Sequence, residues 1–177
     1  MAEAGLAQIR RITPQGMVTL RGDLGDPGVG AALVSATGAA MPARRALAAG
    51  RDGIAAAWMA PDEALLLVAQ DRAAAIAAQL EAEAGASFAT AVNVSDARAL
   101  FEIEGREAAA VLAKLCPVDT ARLPAGELRR TRCAQVAAAI WRTGPQTFRL
   151  ICFRSVAAYV EGLLITAARS GGEVGRF

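Results

Sequence analysis

The sequence predicts an α+β fold built from two related halves, and its internal repeat is the main reason. Segment 55–68 is echoed by segment 137–151, each with a tryptophan, a proline-containing turn and a run of large aliphatic residues. The two copies are 83–84 residues apart, which is longer than the roughly 20–50 residues of a solenoid repeat. Strands that alternate with helices and include hairpins indicate mixed sheets with helices packed on one face. We therefore expect two pseudo-symmetric strand–helix–hairpin–helix halves that close on one core.

The offset between the two copies is not constant. Trp58 and Trp141 are 83 residues apart, whereas Pro61 and Pro145 are 84 apart, so one residue has been inserted in the second turn. We expect a single domain over residues 14–170, with halves at about 14–86 and 87–170 and tails at 1–13 and 171–177.

The first half begins with a strand at 17–21. Pro27 suits the first turn of a helix that ends near Thr37, before Gly38. Residues 42–53 are expected to be loop or a short irregular helix. A hairpin at 54–59 and 64–69 and a helix capped by Asp71 and ended by Gly85 follow. The expected buried face of that helix is Ala73, Ile76, Ala77, Leu80 and Ala84.

The second half repeats this order. Strands are expected at 88–94 and 99–103, a long loop at 118–130 and a second hairpin at 133–141 and 147–153. Gly105 opens a helix that Pro117 stops, with apolar positions Ala108, Val111, Leu112 and Leu115. Ser155 starts the last helix, whose expected buried side is Val156, Tyr159, Val160, Leu163 and Leu164.

The composition of the chain argues against several functional classes. The net charge is +2, which is too small for a nucleic-acid footprint. Histidine is absent, which removes the commonest general base and metal ligand. Cys116, Cys133 and Cys152 have no C-x-x-C spacing and are expected to be buried, inert thiols of a reducing compartment. Without a signal pattern or an apolar run of about 18 residues, we expect a cytoplasmic protein with no membrane contact.

Two features remain as candidate functional sites. Arg122, Arg129, Arg130 and Arg132 form the densest charge cluster, which fits a solvated loop, a docking surface for an acidic partner, or an anion or folate-tail site. Trp58 and Trp141 occupy equivalent repeat positions and suit either symmetric core packing or partner contact. The glycine-rich segment 22–30 and the Ser95-Asp96 pair are interpreted as turns.

Several motifs resemble the gamma subunit of bacterial heterotetrameric sarcosine oxidase in order and spacing, over roughly residues 18–168. They are TLRG at 19–22, Trp58-x-x-Pro61-Asp62-Glu63, VNVSDAR at 92–98, Gly105 with VLAKLCPVD at 111–119, RCAQ at 132–135 and FRSVAAY at 153–159. Val156 and Val160-Glu161 depart from the larger residues more usual in that family. The folate-binding part of the glycine-cleavage T-protein is similar more distantly. Its usual histidine and asparagine are replaced here by Asp96 and by Ala69-Gln70.

The resemblance implies a non-catalytic subunit that supports assembly with alpha, beta and delta subunits. Such a complex demethylates sarcosine oxidatively to glycine, with hydrogen peroxide and formaldehyde or 5,10-methylenetetrahydrofolate as products. FAD, FMN, NAD, tetrahydrofolate and zinc would belong to the partner subunits, and none to this chain. The isolated chain is expected to be inactive. The sequence leaves open whether it self-associates, as a homo-oligomer that covers its partner surface, or stays a monomer. The alternatives are a small-ligand regulatory module and a free-standing folate-dependent aminomethyltransferase.

Overall fold

The computed structural model describes residues 5–85 and 87–173, and contacts divide the chain into two compact units. One unit comprises residues 14–96, and the other comprises the segments on either side of it. The expectations for residues 1–4, 86 and 174–177 lie outside the described residues. Within the described ranges, no helix is long and apolar enough to cross a lipid bilayer.

The unit at 14–96 is a five-stranded sheet with two helices. Its sheet has the order β3-β4-β5-β2-β6. The elements are β2 Gly16–Arg21, α1 Pro27–Thr37, β3 Leu47–Ala49, β4 Ala55–Ala60, β5 Glu63–Val68, α2 Ala73–Ala84 and β6 Thr90–Asn93. The buried faces of both helices join one apolar core with alternate residues of the strands, such as Val18, Leu20 and Leu66.

The second unit has the same design. Its sheet has the order β1-β7-β10-β9-β8. The elements are β1 Gln8–Ile12, β7 Arg98–Glu104, α3 Ala108–Ala113, β8 Leu128–Cys133, β9 Val136–Gly144, β10 Thr147–Phe153 and α4 Ala157–Ala167. Phe101, Ile103 and Phe148 face the helices in its core.

The two sheets share a strand order when corresponding strands are matched. Each has a three-strand meander, then the strand that precedes the first helix of the unit, then one outer strand. All pairings between the named strands of the described residues are antiparallel, so the expected mixed sheets are corrected to antiparallel ones. Short connections that need no crossover helix account for the antiparallel pairs within each three-strand meander. The pseudo-twofold relation of the halves stays a prediction.

The outer strands correct two expected boundaries. Residues 8–12 belong to the sheet as β1, which pairs with β7 from Gln8↔Glu104 to Ile12↔Leu100, so residues 1–13 are not simply a tail. Strand β6 pairs with β2, which places the division after Asp96 rather than near residue 86.

Most of the expected helices and both hairpins are confirmed. Helix α1 runs from Pro27 to Thr37 with Gly38 in the left-handed conformation, and the buried face of α2 is the expected one. The proposed caps Asp71 and Ser155 are wrong, because each lies in a short 3₁₀ turn and neither helix has a side-chain cap bond. Tyr159 is 45% exposed rather than buried.

Candidate partner surface

The arginine cluster, Arg122, Arg129, Arg130 and Arg132, lies on an edge strand and the loop before it. Three of its members are on β8, which ends the sheet and pairs only with β9 in the described chain. Alternation divides them between faces: Arg129 shares the helix-covered face with Cys133, whereas Arg130 and Arg132 lie on the other face. Arg130 and Arg132 are exposed.

Carboxylates accompany two of the four arginines. Arg122 Nε lies 3.7 Å from an oxygen of Asp119, and Arg129 bonds Glu127. The side chain of Arg122 is 89% exposed, so water screens its pair with Asp119. The cluster is therefore a ridge along a sheet edge and its loop, not a closed anion pocket.

Arg142, which sequence analysis did not single out, holds that loop in place. Its guanidinium donates to the carbonyl oxygens of Leu123 at 3.4 Å, Gly144 at 3.0 Å and Pro145, and it lies 5.3 Å from the centre of the Phe148 ring. A planar guanidinium suits several carbonyl acceptors at once. Gly144 and Pro145 belong to the turn that follows Arg142, whereas Leu123 is 19 residues away, and no local motif marks that contact.

The two tryptophans do not occupy equivalent places in their sheets. Trp58 pairs with Ala64, a residue of the helix-side core, and is partly buried. Trp141 pairs with Arg149 on the face away from the helices of its own unit, and it is 2% exposed. The pairs Ala56↔Leu66 and Ile140↔Leu150 correspond in the two hairpins at an offset of 84 residues, so a tryptophan offset of 83 is one residue out of register and places Trp141 on the opposite face.

A charged row crosses the second sheet on that face. Glu102 is only 8% exposed and lies opposite Arg10 on β1 and Arg149 on β10. The carboxylate bonds Arg10, which raises the pKa of that guanidinium, and its other oxygen lies 3.5 Å from Arg149 Nε. On the next two strands the row continues with apolar residues, Trp141 on β9 and Leu128 on β8. A buried carboxylate needs such cationic partners, so this row orders the sheet that carries the arginine cluster.

Ser95 is a structural hydroxyl and not a nucleophile poised in a cleft. Its Oγ donates to Asn93 Oδ1 at 2.6 Å and accepts the Met17 N–H at 3.0 Å. Ser95 is 4% exposed, so these bonds fasten the end of β6 to β2. The interpretation of Ser95-Asp96 as a turn agrees with this geometry.

The glycine-rich segment satisfies its own backbone donors. Asp23 accepts the Gly25 N–H, and Asp26 caps α1 by accepting from Gly28 at 2.6 Å and Val29 at 3.4 Å. The hydrogen bond from Gly28 lowers the pKa of Asp26. A carboxylate therefore occupies the helix N-terminus where an anion would otherwise bind.

Cysteines are the remaining chemically distinctive side chains. All three are free and buried in the core of the second unit. In the described part of the chain, no group of three or more histidine, cysteine or acidic residues is arranged to hold a metal ion.

Comparison with known proteins identifies structures that share this architecture. A chain in the solved heterotetrameric sarcosine oxidase of Corynebacterium sp. U-96 matches with a TM-score of 0.84 and 28% identity, over 97% of this chain and 87% of that chain. An aminomethyltransferase T of the glycine cleavage system from Bartonella henselae matches with a TM-score of 0.58 and 20% identity, over 90% of this chain and 45% of that one. The regulatory subunit of aspartate kinase from Thermus thermophilus has a TM-score of 0.53 at 17% identity, which shows shared fold alone.

The chain has an α+β fold of the glycine-cleavage T-protein type, as the resemblance implied. Residues 21–170 match the family model described as "Sarcosine oxidase, gamma subunit family". The sarcosine oxidase gamma subunit of Corynebacterium sp. (strain U-96) is 32% identical over 92% of this chain and 78% of its own length, and that of strain P-1 is 32% identical over 93% and 81%. The chain belongs to the sarcosine oxidase gamma subunit family, which confirms the expectation from its motifs.

Proposed function

We propose that this gamma subunit is the non-catalytic, assembly-supporting member of a heterotetrameric sarcosine oxidase. The observation that carries the proposal is the match over 97% of the chain to a solved heterotetrameric sarcosine oxidase. The complex would demethylate sarcosine oxidatively to glycine, releasing hydrogen peroxide with formaldehyde or 5,10-methylenetetrahydrofolate. Its other members would be the alpha, beta and delta subunits.

The chemistry of the described side chains supports a structural role. The Ser95 hydroxyl is hydrogen-bonded to Asn93 and Met17, and the Asp26 carboxylate caps a helix. As the resemblance to the family implies, FAD, FMN, NAD, tetrahydrofolate and zinc would be held by partner subunits. The three free thiols fit a cytoplasmic location, where cysteines stay reduced.

We place the partner contact at the exposed part of the arginine cluster. Arg130 and Arg132 stand on the free edge of β8, and Arg122 extends from the loop that Arg142 anchors. Arginine contributes strongly to protein interfaces, so an acidic partner surface is the expected counterpart. Trp141 would support this surface from within the sheet rather than touch the partner, because it is buried.

Co-expression with the candidate partner subunits tests the proposal. In size-exclusion chromatography this chain should elute with them, and the double change Arg130→Glu and Arg132→Glu should weaken that association. Arg44→Glu, at an exposed loop position of the other unit, is the matched control and should leave co-elution intact. Separate elution of the unaltered chain would contradict membership of the complex. If both variants bound the partner subunits equally well, the contact would not lie at Arg130 and Arg132.

A further inference from the structure

Two of the three buried thiols face each other across a short backbone contact. The carbonyl oxygen of Leu115 accepts the Ala134 N–H at 2.7 Å. Leu115 and Ala134 are the chain neighbours of Cys116 and Cys133, so this bond brings the backbones of the two cysteines close together. The contact joins two turns and not two strands, because Cys116 lies in the turn that ends α3 and Ala134 has a left-handed φ of 50°.

That proximity suits a disulfide, which requires Cα atoms within about 4.4–6.8 Å of each other. The two thiols form a hydrogen bond with each other. This bond raises the pKa of Cys116 and lowers the pKa of Cys133. Burial raises the pKa of the third thiol, Cys152, to about 11, which keeps it protonated.

The pair lies at the surface end of the core. Cys116 lines a solvent-open groove together with Lys114, Arg132 and Ala134. Lys114 Nζ donates to the Ala167 carbonyl at 2.8 Å, which holds its charge beside the groove. The hydrogen bond from Cys116 lowers the pKa of Cys133, so Cys133 is the thiol of the pair that more readily forms the reactive thiolate.

We propose that Cys116 and Cys133 are an oxidation site that a hydroperoxide converts into an intramolecular disulfide. In the first step one sulfur, as the thiolate, attacks the O–O bond; an S–O bond forms, the O–O bond breaks, and the leaving oxygen takes up a proton. In the second step the other sulfur attacks this sulfenic acid; the S–S bond forms, the S–O bond breaks, and water leaves. The two thiols are oxidised and the peroxide is reduced.

The linkage would join the two ends of the segment that carries the arginine cluster. Cys116 follows α3, Cys133 ends β8, and Arg122, Arg129, Arg130 and Arg132 all lie between them. Closing this loop restricts its conformations, so the oxidation state of the pair would act on the surface proposed for partner binding. The oxidation itself does not rest on the proposed function, because it needs only the folded chain and an added peroxide.

Peptide mapping tests the site, because basic residues separate the three cysteines. Trypsin cleavage places Cys116 in peptide 115–122, Cys133 in 133–142 and Cys152 in 150–154. The full chain is treated with hydrogen peroxide, alkylated under denaturing conditions and digested without reductant. We expect a linked 115–122/133–142 species from monomeric protein, loss of two of three titratable thiols, and recovery of both after dithiothreitol.

Cysteine variants provide the matched control. Cys152→Ala should still form the linked species, whereas Cys133→Ala should lose it, with circular dichroism reporting whether each variant folds. The unaltered protein decides the outcome even if a variant fails to fold. Three alkylated thiols after peroxide treatment, a link that contains peptide 150–154, or sulfinic acid at Cys116 without any link would each overturn the proposal.

Discussion

Oε2 of Glu102 lies 3.5 Å from Nε of Arg149 across the neighbouring strands β7 and β10, while the other oxygen of the same carboxylate bonds Arg10. Removing the carboxylate leaves two cations that flank β7 without their shared partner; the Arg10 side chain is 64% exposed and the Arg149 side chain is 32% exposed. Breaking a buried ion pair costs about 3–5 kcal/mol, and the partial exposure of both arginines reduces this to about 2 kcal/mol for Glu102→Ala. Urea unfolding measures the change.

Two further variants decide whether charge or packing is lost at Glu102. Glu102→Gln keeps the shape and should cost about half as much as Glu102→Ala. Glu104→Ala, at the exposed end of the same strand, is the control and should change stability by less than about 0.5 kcal/mol. An unfolding free energy unchanged by Glu102→Ala would show that the charged row does not order the sheet.

Ser95→Ala should destabilise the unit at 14–96. The change leaves the buried Met17 N–H without its acceptor, and an unsatisfied buried donor costs about 1–3 kcal/mol. Ser95→Thr keeps the hydroxyl and should recover part of the loss. Hydrogen exchange of the Met17 amide is the specific readout. Unchanged protection in Ser95→Ala would contradict the role assigned to this hydroxyl.

The Asp26 cap gives stability a defined pH dependence. Hydrogen bonding from Gly28 lowers the pKa of Asp26 from its ordinary value of 3.8, so the folded state favours the charged form. The contribution is present above about pH 4 and is lost as the pH falls through the lowered folded-state pKa. Asp26→Asn should therefore differ less from the unaltered protein at pH 2 than at pH 7. A stability difference independent of pH would rule out a cap that acts through charge.

The two tryptophans should respond differently to truncation. Trp141→Ala removes a fully buried indole and should cost about 3–5 kcal/mol, whereas the partly exposed Trp58 should cost less. Single Trp→Phe variants leave one indole each for fluorescence. The emission of Trp141 should be blue-shifted and resist acrylamide quenching relative to Trp58. Equal quenching would contradict their placement.

The sequence predicted elements whose signals are local. Pro27 and Gly38 bound α1, and the apolar spacing in 73–84 defines the face that α2 buries. It did not predict β1 or β8, because QIRRI and LRRTRC place arginines on solvated edge strands and hide the apolar alternation. The partner of β1 is β7, about 90 residues further along the chain, and nothing local indicates that pairing.

The candidate site was predictable only in part. Four clustered arginines were visible in the sequence, but their division between two faces of β8 depends on strand register. The same holds for Trp58 and Trp141, which align in the repeat and yet lie on opposite faces. The contact of Arg142 with Leu123 and that of Glu102 with Arg149 join residues that are distant in sequence, so tertiary structure was needed to find them.

The most direct test of the central claim is to measure sarcosine-dependent peroxide formation. It is measured for the chain alone, for the partner subunits without it and for the assembled complex. A supporting subunit predicts no peroxide from the isolated chain, and more stable activity from the complex that contains it than from the partners alone. If the purified chain turned over sarcosine and kept this activity after every co-purifying subunit had been removed, the assignment would be contradicted.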